Sequence, residues 1–131
     1  MRAALEALAA RLVVELPEEE KDQAIRDLED ALAVMADAEG DSLVTSLEAD
    51  VDFHRTLCRV SGNAALLQSW EQLAGVVAMS IMVAGRSRAR VNTSAQRHRE
   101  VIDVIVGGGP EVERRITEHV VAVLGDFGIA G

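Results

Sequence analysis

The sequence predicts an all-α fold, a six-helix antiparallel bundle forming one domain, and three observations lead there. Hydrophobic residues fill 49% of the 131 positions but aromatics only 2%, with no Tyr and one Trp, so the apolar side chains are almost all Ala, Val, Leu, Ile and Met. That mixture favours packed helices over a sheet. Apolar positions recur at helical spacing in segment after segment, and no run alternates strictly enough to be a strand. Gly, Pro and capping residues punctuate the chain into pieces of helix length, and a domain of this size builds a core without disulfides or structural staples.

The first helix spans roughly Arg2 to Leu16 and is closed by Pro17, which also suits the first turn of the second. The acidic run Glu18, Glu19, Glu20 then lies at the positive end of that second helix. Ala24, Ile25, Leu28, Ala31, Leu32 and Met35 give it a 3.6-residue period, and Gly40 ends it. Asp41 or Ser42 caps the third helix, whose apolar positions are Leu43, Leu47, Val51, Leu57 and Val60. In "SGN" at 61–63, Gly62 supplies a left-handed stop and Asn63 caps the fourth helix, which runs to about Gly85. Being apolar nearly all round, the fourth helix is expected to be the most enclosed. The stretch from Arg86 to Ser94 reads as a basic solvated connector. Asn92 or Thr93 caps the fifth helix, Gly107 to Gly109 break it, and Pro110 opens the sixth, which ends near Gly125.

Composition also excludes functions. A net charge of −9 argues against this chain holding a nucleic-acid backbone by itself, because phosphate neutralisation needs a surplus of Lys and Arg. The longest apolar run, Leu73 to Gly85, is shorter than the roughly 20 residues a membrane span takes. The N-terminal segment reads as an amphipathic helix and not as a signal peptide. The single cysteine permits no internal disulfide, which fits a reducing, cytoplasmic setting.

Four residues do not belong in the apolar stripes that carry them. Asp50 and His54 stand at i and i+4 on the third helix, on the face of Leu43, Leu47 and Leu57. His98 falls among Ala95, Val101, Ile102 and Ile105, and His119 among Val112, Ile116, Val120 and Val123. His98 precedes Gly108 by as many residues as His119 follows Gly109, so at about 1.5 Å per residue the two imidazoles lie level across a helical hairpin. Asp52 is off the face, and Cys58 is a fifth candidate better read as a small hydrophobe. A lone buried His is usually bonded to a carbonyl, and a lone buried Asp to an Arg. Three imidazoles and a carboxylate converging in one bundle instead suit a first-row divalent metal such as Zn, Ni, Fe or Cu.

The order "DVDFHRTL", "SGN", "RHREVIDVI", "TEHVVAVL" resembles the all-helical C-terminal effector-binding (FCD) domain of FadR-like, GntR-family transcription regulators. The likeness runs end to end, since "MRAALEALAARL" is similar to that domain's opening helix. The resemblance implies an FCD-like bundle in which Asp50, His54, His98 and His119 hold a divalent metal, commonly zinc, with nickel the alternative. Water or a small organic-acid effector would take the remaining positions, and Arg2 matches an arginine that the family aims at the effector carboxylate. It further implies a homodimer, no enzymatic activity, and DNA contact only through an upstream winged-helix domain that lies outside residues 1–131. A small helical metalloenzyme acting on an organic acid, or a helical interaction module without a site, are the alternative readings.

Overall fold

The computed structural model describes residues 2–83 and 94–126, with side chains described for 2–74 and 94–120. Its elements are α1 (Arg2–Val14), α2 (Glu18–Ala38), α3 (Leu43–Val60), α4 (Ala64–Val83), α5 (Ala95–Gly107) and α6 (Val112–Asp126). Among the described residues there is no strand, as the sequence predicts.

Local chemistry sets the boundaries. Ser42 caps α3 by accepting from the Thr45 amide at 3.2 Å, and Asn63 caps α4 by accepting from the Leu66 amide at 3.0 Å, each satisfying an otherwise orphaned donor of a first turn. Gly62, at φ +80°, makes the reversal between those helices in a backbone region that L side chains avoid. The cap of α5 differs from the expectation. Ser94 does this work, its hydroxyl accepting from the Arg97 amide at 3.3 Å, while Asn92 and Thr93 lie outside the described residues with the rest of the connector up to 93. Helix α6 begins at Val112, two residues after Pro110, because the turn is built from consecutive left-handed glycines, Gly108 and Gly109, before the helical ladder starts.

Among the helices whose side chains are described throughout, α1 is the central one. It packs against each of the other five, and Ala3, Ala7, Ala9, Ala10 and Val13 are buried along it. Alanines let neighbouring backbones approach closely, which is how one short helix can occupy the centre of a bundle. The described part of α4 is one-sided: Leu66, Trp70 and Ala74 face inward, whereas Ala64, Ala65, Gln68, Ser69, Glu71 and Gln72 are exposed. Its apolar stretch from Val76 to Val83, on which the expected enclosure rests, lies outside the described side chains.

Around α1 the other elements pair as α2 with α3, α3 with α4, and α2 with α5. The core unites Leu28, Leu32 and Met35 of α2 with Phe53 and Leu57 of α3, Trp70 of α4, Ile102 and Ile105 of α5 and Ile116 of α6. Arg11 clasps the far turn to the central helix, its Nη2 donating to the Gly109 carbonyl at 2.7 Å and its Nε to Glu113 Oε1 at 3.1 Å. No described helix is long and apolar enough to cross a membrane.

This packing predicts a sharp contrast within α2. Leu28→Ala, at a fully buried position, is expected to cost about 2–5 kcal/mol in urea unfolding, and Val34→Ala, 56% exposed on the opposite face, about 0.5 kcal/mol or less.

Candidate metal centre

Helix α3 carries Asp50 and His54 one turn apart on its inward face, α5 carries His98, and α6 carries His119. The hairpin register brings the last two level: the ring centroids of His98 and His119 are 5.3 Å apart, and those of His54 and His98 4.9 Å. One ring nitrogen from each of His54, His98 and His119 can be chosen so that all three lie within 4.8 Å of one another. Asp50 adjoins the trio from one side, its Oδ1 lying 2.7 Å from His98 Nε2 and 3.4 Å from His54 Nε2. Asp52 is exposed and paired with Arg55, and Cys58, although fully buried, stands outside the trio with its thiol pushed up by burial. Phe53 stacks edge-on against both His54 and His98, walling the cluster on the α3 side.

The proton bookkeeping is decisive. His98 Nδ1 is 2.9 Å from the Ser94 carbonyl oxygen, which can only accept, so Nδ1 carries the hydrogen and Nε2 the lone pair in the neutral ring. His54 Nδ1 meets the carboxylate of Glu6 in a short contact. Burial alone would raise the Glu6 pKa, but Arg2 and His54 hold it at about 2, so Glu6 is an acceptor and His54 Nδ1 is likewise the donor. Two lone-pair nitrogens, His54 Nε2 and His98 Nε2, therefore face each other at 3.0 Å, with a carboxylate oxygen of Asp50 against both. Asp50 is held well below the usual carboxylate range, its burial outweighed by His54 and His98. Acceptors packed this closely in a dry core need a positive species between them.

A proton on His54 supplies it in one state. Burial opposes the charged ring, yet Glu6 and Asp50 overcome both burial and the repulsion of Arg2, holding the His54 pKa at about 9. A metal cation fits as well. Nitrogen and oxygen ligands at about 2.0–2.1 Å from a first-row ion stand roughly 2.9–3.4 Å apart along the edges of octahedral or tetrahedral shells, and the contacts here are 2.7, 3.0 and 3.4 Å. His119 Nε2 is shut off from solvent, a buried lone pair or donor for which the described residues supply no hydrogen-bond partner. Burial, His54, His98 and Arg97 lower the His119 pKa to about 3, which keeps that ring neutral, the form in which imidazole ligates.

Glu6 is the functional residue that sequence reasoning missed. It is fully buried, bonds His54, accepts from Trp70 Nε1 at 3.1 Å, and has Arg2 Nε within 2.7 Å of its other side. Its signal was present: a carboxylate i+4 from Arg2 amid Ala3, Ala10 and Val13 is as anomalous as a histidine among leucines. Arg2 is itself buried, and its Nε–H is not aimed at the carboxylate it approaches, so this donor lacks an acceptor among the described residues.

The family model described as FCD domain matches residues 1–122. The chain is also similar to a probable D-xylose utilization operon transcriptional repressor of Paenarthrobacter nicotinovorans, with 32% identity over 125 residues, covering 95% of this chain and 54% of that protein. The chain thus spans about half the length of the curated relative it matches. No solved structure gives a significant match.

Two predictions follow from the cluster's electrostatics. Glu6→Ala leaves the His54 and Trp70 donors without an acceptor, and is expected to destabilise the fold by about 3 kcal/mol in urea unfolding and to weaken zinc binding roughly 10- to 100-fold in chelator competition. Because His54 holds its proton up to pH about 9 in the metal-free protein, a cation must displace it. Zinc affinity should accordingly rise by up to roughly tenfold per pH unit between pH 6.5 and 8.5, with proton release measurable by calorimetry in buffers of different ionisation enthalpy; a flat profile would contradict the assignment.

Proposed function

Since the chain belongs to the FCD domain family, we propose that it is the effector-sensing domain of a GntR/FadR-type transcription regulator, holding a divalent cation through Asp50, His54, His98 and His119. The observation that carries this reading is the inward-facing set of ring nitrogens whose outer nitrogens, in His54 and His98, are already engaged by Glu6 and Ser94. Such second-layer bonds fix the tautomer and aim the lone pair, as in protein metal sites generally. Zinc is the preferred ion for this donor set, with nickel the alternative. When bound, the cation would supply positive charge and an open position for a carboxylate oxygen.

The effector in this reading is a small organic acid. Arg2, buried and with an uncommitted donor, is placed on α1 beside Glu6 and would receive a carboxylate of that acid. The relative's name refers to D-xylose utilization, so sugar-derived acids are the members of this class to test first. Binding that changes contacts with α1, α3, α5 and α6 would shift a conformational equilibrium only through such differential contacts. The shift would pass through α1 to a winged-helix DNA-binding domain in the whole protein, with a homodimer presenting two such domains to an operator. Regulation is favoured over catalysis by the family match and by the repressor relative.

Metal content of the purified protein, followed by titration of zinc and of sugar acids, tests the proposal. The wild-type chain should bind about one zinc ion per protomer, and the His98→Ala/His119→Ala variant should lose zinc and effector binding together. Unchanged binding of both by the folded variant would refute it.

A further inference from the structure

The three imidazoles are not treated alike. His54 has Glu6 behind its Nδ1 and His98 has the Ser94 carbonyl, but His119 has no hydrogen-bond partner through either nitrogen among the described residues. Metal-bound histidines almost always donate their second N–H to a carboxylate, a carbonyl or water. The outer neighbour of His119 must therefore come from beyond the protein side chains described.

His119 also borders a cleft. Helices α5 and α6 leave between them a cavity of about 530 Å³, within the range of small-molecule sites. Ser94, Arg97, Glu100 and Arg115 line it, and His119 forms part of its wall. In a chain with 22 acidic and 13 basic residues, an arginine finds a carboxylate easily, and Arg2, Arg11, Arg55, Arg59, Arg99 and Arg114 each do. Arg97 and Arg115 do not: among the described residues neither guanidinium has an ion pair or hydrogen bond, and both face this cleft. Of the two lining glutamates, Glu118 is taken by Arg114 at 2.7 Å, which leaves Glu100 to accept from a hydroxyl.

We propose that the α5–α6 cleft binds a small carboxylate between Arg97 and Arg115, and that this carboxylate accepts from His119 Nδ1, making the ligand the missing outer neighbour of the third imidazole. The inference rests on the reading of the trio as a cation site and adds to it a second anion position, outside the cluster. It also defines a direction of influence. A carboxylate on Nδ1 raises the basicity of Nε2, so cation and anion strengthen each other's binding by the same factor. A hydroxy acid suits the cleft better than a plain acid, since Glu100 offers it an acceptor.

The test uses the zinc-loaded chain with acetate as probe, followed by long-range ¹H–¹⁵N spectra of the three imidazoles and by chelator competition for zinc. In the wild type, acetate should shift the His119 Nδ1 resonance far more than those of His54 and His98, and strengthen zinc binding by roughly tenfold. In Arg97→Gln/Arg115→Gln, whose side chains lie outside the core, zinc binding should persist while both acetate effects vanish. Zinc retained with a silent His119, or an acetate effect equal in variant and wild type, would overturn the cleft assignment and leave the metal reading standing. Failure of the wild type to take up zinc would overturn both.

Discussion

The structure depends on one electrostatic constraint, the concentration of carboxylate and imidazole acceptors in a core that water does not reach. Glu6 and Asp50 are both buried and ionised, and Arg2 is the fixed cation beside them. With neutral imidazoles the cluster is one positive charge short of balance. A proton on His54 restores neutrality, whereas a divalent ion carries the cluster one charge beyond it. The second state attracts an anion where the first does not. Sensitivity to an acidic ligand is thus a property of the charge count, before any pocket shape is considered.

Helix α1 ties this charge balance to the rest of the fold. It carries Arg2 and Glu6 into the cluster, touches all five other helices, and holds the α5–α6 turn through Arg11. A change at His54 is felt by Glu6 and therefore by the central helix, and a change in the hairpin reaches the same helix from its other end. Alanine is what makes this possible, since a central helix with larger side chains would hold its neighbours too far away for a Glu to bridge from α1 to both His54 and Trp70.

Most of the fold was legible because helix boundaries follow from local chemistry. Ser42, Gly62 and Asn63 act where their side chains or backbone freedom require. The pairing of His98 with His119 was legible too, from counting residues to a glycine turn. What escaped sequence reading depended on tertiary placement. The enclosure of α1 comes from alanines whose small size says nothing of burial on its own, and Glu6, although out of place among them, had no partner assignable from sequence, because Trp70 and His54 lie far along the chain. The α5 cap moved to Ser94 because several capping residues lie in succession there and only the tertiary position of His98, whose ring also bonds the Ser94 carbonyl, selects among them.

The most direct test is X-ray absorption at the zinc edge of the metal-loaded protein. A centre built from one carboxylate and three imidazoles gives only nitrogen and oxygen neighbours at about 2.0–2.1 Å, with outer-shell scattering from three imidazole rings. A sulfur neighbour near 2.3 Å, or a shell of oxygens without imidazole scattering, would contradict it.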